Sequence, residues 1–227
     1  MNRISLTGNQ LKLIALVTMT VDHAGILLFP EVPVLRVIGR LAFPIYAFLI
    51  AEGCRHTRSM GRYFGTIAAF AAGCQLFFLC FNGSLRQSVL VTFALSIGLV
   101  WLLREERLPS AVHNLLVVLG FLGVLFLCEG LPMLLRGTDY SVDYGAVGVL
   151  LPVLVWLGRN RQERLGLLAL GTVMLGFTYG GIQWWCLGSV PLVMLYNGLR
   201  GKAKLKYLFY VYYPLHLVVL YGIRILS

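Results

Sequence analysis

The sequence predicts an all-α, polytopic membrane bundle, and three observations predict it. Hydrophobic residues make up 59% of the chain and charged residues only 12%, where a soluble domain carries about 25% charge. The apolar residues fall into long runs joined by short polar connections, and mean hydropathy is +0.82. The basic residues alternate between connections as membrane insertion requires. A bilayer core offers no water to satisfy backbone groups, so each run should be helical. The length suits one membrane domain over residues 1–227.

Nine spans follow in order: Leu11–Phe29, Val34–Gly53, Gly61–Phe81, Gln87–Leu103, His113–Cys128, Val142–Gly158, Leu165–Tyr179, Gln183–Tyr196 and Tyr207–Ile225. The first is long enough to cross, which takes about 20 apolar residues. It is read as a retained helix, because no small-residue cleavage site follows it. The second carries Pro44, which lacks a backbone donor and should kink it. The sixth opens on Tyr144-Gly145-Ala-Val-Gly148, whose small residues allow close helix approach. The seventh and eighth are short and joined only by Gly-Gly-Ile, so they form either two helices or one re-entrant unit. Trp184 and Trp185 suit an aromatic belt at the outer interface. Glu129, Asp139 and Asp143 flank an outer connection as solvated groups.

With the N-terminus cytoplasmic, only Arg86, Arg136 and Arg224 fall on outer connections. Arg36 and Arg40 lie inside the second span, and every other Lys and Arg, Arg3, Lys202, Lys204 and Lys206 among them, is on the inner side. This positive-inside bias accounts for the net charge of +10, and the sequence therefore predicts no nucleic-acid partner. The five cysteines lie in or beside apolar runs, without metal-ligand or disulfide spacing, so no metal site is expected.

The first span carries Asp22 and His23 just past its middle. An ionisable group at that depth costs roughly 2.5 to 3.5 kcal/mol on insertion scales and marks a functional site by default. At about 1.5 Å per helical residue, Arg40 of the second span and His216 of the ninth reach the same layer. Three helices thus bring acid, base and cation together. Arg36, Arg40, Pro44, Phe48 and Glu52 succeed one another at i, i+4 along one face. Neighbours in a helix sequence do not face each other, so Asp22 is expected to pair with Arg40 or another cation while His23 points into a cavity. Tyr210, Tyr212, Tyr213 and Pro214 surround His216 as a packing surface or a cavity wall. At the inner face Lys12, Arg55, Arg58 and Arg62 are topology determinants first and phosphate-binding candidates second.

At these residues the chain resembles the TraX family of membrane proteins. The first helix, with Lys12 and Ile-Ala-Leu-Val-Thr-Met-Thr-Val-Asp-His, is similar to the family's opening. Gly39-Arg40-Leu-Ala-Phe43-Pro44, Tyr144-Gly145 with Gly148, and Phe209-Tyr210-Val-Tyr-Tyr-Pro-Leu-His216-Leu resemble its later motifs. The best-known TraX proteins acetylate the N-terminus of the pilin subunit in F-type conjugation, and the family is similar to the wider group of transmembrane acyltransferases. The resemblance implies an inner-membrane, multi-pass acetyltransferase that uses acetyl-CoA from the cytosol and an acceptor at the outer side: a protein N-terminus, a glycan or a lipid. His23, Asp22 and Arg40 would then be catalytic. His23 would be general base or acyl carrier. Arg40 would stabilise negative charge or hold Asp22. His216, Tyr213, Arg36 and Glu52 would bind substrate, and Lys12, Arg55, Arg58 and Arg62 the donor's phosphates. A different class shares the same buried layer: intramembrane Asp, His and Arg on three helices also mark a proton-coupled transporter. A non-catalytic scaffold would use the layer as packing glue.

Overall fold

The computed structural model describes residues 5–105, 107–201 and 206–226, and among these every regular element is helical. The helices are α1 (Gly8–Leu27), α2 (Pro33–Gly39), α3 (Ala42–His56), α4 (Met60–Asn82), α5 (Val89–Arg104), α6 (Ser110–Leu125), α7 (Leu131–Leu134), α8 (Gly145–Leu157), α9 (Arg161–Tyr179), α10 (Ser189–Met194) and α11 (Lys206–Leu226). A π-helical turn, Phe126–Gly130, joins α6 to α7, and a 3-10 segment, Gly181–Gly188, precedes α10. Among the described residues four stretches are long and apolar enough to cross a membrane: Gly8–Leu27, Pro33–His56, Met60–Cys80 and Ser110–Leu134. The outward face of α6 is Leu115, Val118, Leu119 and Leu122, all exposed, which a helix facing lipid requires. The molecule is a helical membrane bundle. Arg3, Lys202 and Lys204 lie outside the described residues, as do the side chains of Lys206 and Tyr210.

Two spans differ from expectation. The fifth, expected to end at Cys128, runs on to Leu134. Pro132 has no N–H to continue an α-helix. The chain absorbs this by widening one turn, so that the Leu131 N–H donates to the Phe126 carbonyl five residues back. Glu129 rides on that turn and accepts from the Ala146 amide at 3.1 Å, near the start of α8. The eighth span is not an α-helix through its length. Its 3-10 segment and six-residue α10 together reach about 25 Å, short of a hydrocarbon core of about 30 Å. Gly180 and Gly181, both at positive φ, break the chain before it.

The chain divides into two compact units, one from residues 1–49 with 161–227, the other from residues 50–160. In the second unit α5 packs on α4, α6 and α8. The buried hydroxyls of Thr92 and Ser96 donate to the Asp143 and Val149 carbonyls at 2.7 and 2.8 Å, and Gly148 lets Thr92 approach closely. Two arginines fasten helix ends whose last carbonyls lack intrahelical partners. Arg55 donates to the Trp156 and Gly158 carbonyls at the end of α8. Arg104 donates to the Cys54 carbonyl at 3.2 Å near the end of α3. Asp139, expected to be merely solvated, accepts from the Ser84 hydroxyl at 2.6 Å and the Leu85 amide at 2.9 Å. Those two donors hold its carboxyl below the usual aspartate range, because both favour the ionised form.

In the first unit α1 packs against α2 and α11, and the 3-10 segment against α2 and α9. The first amides of α1 have no intrahelical acceptors. The Leu199 and Arg200 carbonyls accept from Gly8 and Asn9 at 2.7 and 2.9 Å. Thr7 and Gln10 form a reciprocal capping box. Trp184 lies against α9 at Gly176, edge-on to Phe177, and both Trp184 and Trp185 are exposed, at 36% and 60%.

Candidate functional site

The site lies in the first unit and is built by the last turns of α1. Consecutive helical residues project about 100° apart, so Asp22 and His23 address different neighbours. Asp22 faces α2, and His23 faces α11.

Asp22 is buried. Its Oδ2 accepts from Arg36 Nη1 at 2.7 Å, and both its oxygens accept from Arg40 Nη2 at 2.7 Å. Arg40 also donates through Nη1 to Gln183 Oε1 at 3.2 Å and through Nε to the Arg36 carbonyl at 3.4 Å. The pairing of Asp22 with Arg40 is therefore present, and Arg36 joins it from one turn earlier. The local sequence explains the arrangement. Pro44 cannot return an α-helical bond to the Arg40 carbonyl, and the helix breaks at Arg40-Leu41 between α2 and α3.

Gly39 lets α2 come this close. A Cβ on Gly39 would fall on the Asp22 side chain. Replacing Gly39 by Ala is expected to force α1 and α2 apart at the ion pair. Overpacking of this kind costs about 1–3 kcal/mol, and thermal unfolding in detergent reads the loss. Gly73 has open space around it, and Gly73→Ala is expected to leave stability unchanged or raised.

His23 and His216 form the second half of the site. Their rings lie 4.9 Å apart between centroids, with His23 Nδ1 2.9 Å from His216 Nε2. His216 Nδ1 lies 3.0 Å from the Tyr212 carbonyl. A carbonyl only accepts, so in that contact Nδ1 carries the proton. Neutral His216 then accepts at Nε2, His23 donates through Nδ1, and the His23 Nε2 lone pair is left available. Tyr212 stacks on His216 with an interplanar angle of 7°. Its hydroxyl is 2.9 Å from Thr20 Oγ1, whose other contact is the Leu16 carbonyl. Tyr213 meets His216 edge-on at 5.6 Å.

Of the remaining expected residues, Lys12 belongs to the first unit and Glu52, Arg55, Arg58 and Arg62 to the second. Lys12 sits near the start of α1, close to the charge of Arg200. Glu52 is buried in the second unit, 3.6 Å from His56 Nε2. Arg55 donates through Nη2 to helix-end carbonyls. Arg58 and Arg62 are exposed, as suits groups that meet a soluble phosphate. Gln183, Thr20 and Gly39 belong to the site without having been expected there. Gln183 had one visible signal, an amide inside an apolar run. Among the described residues no three His, Cys, Asp or Glu side chains converge as metal ligands would.

Comparison with known proteins agrees with the family resemblance. The chain is similar to the probable fimbrial assembly protein FimC, serogroup H1, of Dichelobacter nodosus, with 26% identity over 245 residues, covering 96% of this chain and 95% of that one. It is also similar to an uncharacterized protein of Rickettsia prowazekii, strain Madrid E, at 47% identity over 38 residues, 17% of this chain and 15% of that one. No solved structure matches. The TraX protein family matches residues 7–224, and with its polar site on α1, α2 and α11 inside that match, the chain belongs to the TraX family.

Proposed function

We propose that this protein is a multi-pass inner-membrane acyltransferase that moves an acetyl group from cytosolic acetyl-CoA to an acceptor at the outer side. The observation that carries this reading is the His23–His216 pair, which leaves one imidazole nitrogen as a base beside a braced ion cluster. His23 Nε2 takes the proton from the acceptor amine or hydroxyl as its nitrogen or oxygen attacks the thioester carbonyl carbon. The new C–N or C–O bond forms, the C–S bond breaks, and the CoA thiolate leaves and is reprotonated. Histidine suits this because its ordinary pKa of about 6.5 lies near neutrality. His216 fixes the tautomer of His23, and Arg40, with its Nη groups on Asp22 and Gln183, holds α1, α2 and the 3-10 segment together.

Acetyl-CoA supplies the acetyl group when bound. Of the expected phosphate ligands, exposed Arg58 and Arg62 fit a polyanion and Arg55 does not. The relative's description as a fimbrial assembly protein supports a pilus subunit as acceptor.

The test is the thermal stability of the detergent-purified protein with acetyl-CoA, with acetate and with AMP. A ligand that binds only the folded form stabilises it by about 2.7 kcal/mol at a hundredfold excess over Kd. A rise with acetyl-CoA and none with acetate or AMP is the expected result. No rise at millimolar acetyl-CoA overturns the reading, and proton flux in liposomes then tests the transporter.

A further inference from the structure

Two side-chain contacts join α1 to α11 about one helical turn apart. His23 meets His216 in one, with 2.9 Å between Nδ1 and Nε2. Thr20 meets Tyr212 in the other, with 2.9 Å between Oγ1 and the phenol oxygen. Thr20 and His23 stand at i, i+3 on α1, and Tyr212 and His216 at i, i+4 on α11, so each pair shares one face of its helix. The proton in the second contact can be placed. Thr20 has one hydroxyl proton and gives it to the Leu16 carbonyl at 2.9 Å, because a carbonyl only accepts. The Tyr212 hydroxyl is then the donor and Thr20 Oγ1 its acceptor.

Tyr212 touches the histidine pair in two further ways. Its carbonyl accepts from His216 Nδ1 at 3.0 Å, and its ring stacks on the His216 imidazole at 5.4 Å between centroids. Both contacts lie within α11. They orient the His216 ring but do not bring it to α1. Between Tyr212 and His216 the helix carries Pro214, which removes one backbone hydrogen bond from that stretch. A helix weakened there gains its register from an outside contact. The Tyr212–Thr20 hydrogen bond supplies one, and it reaches α1 about one turn from His23.

We infer that Thr20 and Tyr212 are positioning residues: their hydrogen bond sets the approach of α11 to α1 at which His23 Nδ1 donates to His216, and so holds His23 with its Nε2 lone pair free. A neutral imidazole carries its proton on either nitrogen, and the hydrogen bond made by one nitrogen decides the state of the other. Without the Thr20–Tyr212 contact, His216 keeps its Nδ1 proton on the Tyr212 carbonyl, but His23 is released to take both tautomers. The part these residues play in acyl transfer rests on the reading of His23 as base. Their effect on the His23 tautomer does not.

The experiment reads the tautomer directly, by nitrogen NMR of the full chain in detergent with isotope-labelled histidine rings. The chain has four histidines, and His56→Gln with His113→Gln, both in the other unit, leave the two of interest. In this background both Nδ1 atoms are expected to be protonated and both Nε2 atoms unprotonated. Thr20→Val and Tyr212→Phe keep the shape and remove a hydroxyl. Each is expected to leave His216 unchanged and to turn His23 into a mixture of tautomers. Thr20→Ser keeps the hydroxyl and should give the unsubstituted spectrum. In transfer of labelled acetyl the two hydroxyl-free variants should lose about three- to tenfold in kcat, the effect of one neutral hydrogen bond, with KM for acetyl-CoA unchanged. The double variant should fall no further than either single one, because both substitutions break the same contact. A wild-type chain that transfers no acetyl removes the acyltransferase reading, and the NMR series still decides the positioning role. A His23 spectrum unchanged in both Thr20→Val and Tyr212→Phe, a change confined to His216, or the same loss in Thr20→Ser as in Thr20→Val overturns the inference.

Discussion

Replacing Asp22 by Asn is expected to cost about 3–5 kcal/mol of stability, the size of effect seen when one partner of a buried ion pair is removed. The substitution keeps the side-chain shape and deletes the negative charge that Arg36 and Arg40 share. Asn offers one acceptor oxygen where the carboxylate satisfies three N–H···O contacts. The consequence extends beyond α1. Arg40 holds Gln183 in the 3-10 segment, so a displaced Arg40 also loosens the packing of that segment on α2. The measurement is the unfolding midpoint of the detergent-purified variant beside the wild type. Charge counting adds a sign test. Asp22→Asn removes the carboxylate that Arg36 and Arg40 share and Arg36→Gln removes one of its two cations, so the double variant should recover part of the loss. If Asp22→Asn unfolds with the wild-type midpoint, the cluster is solvated and the ion pair is not what holds α1 to α2.

His23→Ala is expected to lower acyl transfer about 10²- to 10⁴-fold, the usual contribution of a positioned general base, while unfolding changes little. His216 acts through His23, so its variants should separate by what they offer at 2.9 Å from His23 Nδ1. His216→Gln retains an acceptor oxygen and should keep much of the rate. His216→Ala removes the acceptor, frees the His23 ring to take the other tautomer, and should fall towards the His23→Ala level. A packing role for His216 would not rank Gln above Ala in rate at equal stability. Transfer of labelled acetyl from acetyl-CoA, measured in membranes that also contain the wild-type acceptor, reads the series. Full transfer by His23→Ala would eliminate the mechanism.

Much of this arrangement is legible in the chain. The apolar runs locate α1, α4, α5, α8, α9 and α11 to within a few residues, because lipid-facing helices must be apolar along their length. Asp22 and Arg40 announce their pairing because an isolated charge in such a run is so costly. That Asp22 and His23 look in different directions follows from helical pitch alone. Other features depend on contacts that no local pattern records. Arg55 reads as a cytosolic cation because its partners, the Trp156 and Gly158 carbonyls, are remote in sequence and belong to the backbone. Gly39 is visible in the sequence as part of the Gly39-Arg40 motif, but what it makes room for appears only when Asp22 is placed against it. The extension of the fifth span is hidden by Glu129 and Pro132, which end an apolar run on paper. A widened turn and an amide of α8 accommodate both. The eighth span has enough apolar residues for a short helix, and only the glycines around it hint at the tighter coil.

The unit that holds the site is discontinuous. Its first part ends at residue 49 and its second begins at residue 161. The amides at the start of α1 wait for the Leu199 and Arg200 carbonyls, Arg40 waits for Gln183, and His23 waits for His216. During synthesis α1 and α2 leave the ribosome well before α11, and the Asp22 cluster can close as soon as both are in the membrane. The base cannot be set until α11 has been made. A ribosome stalled after α10 would leave a chain with its ion pair formed and its histidine unguided. Synthesis of α11 is therefore the step that arms the site, and a chain terminated between α10 and α11 should yield membrane-inserted protein without activity.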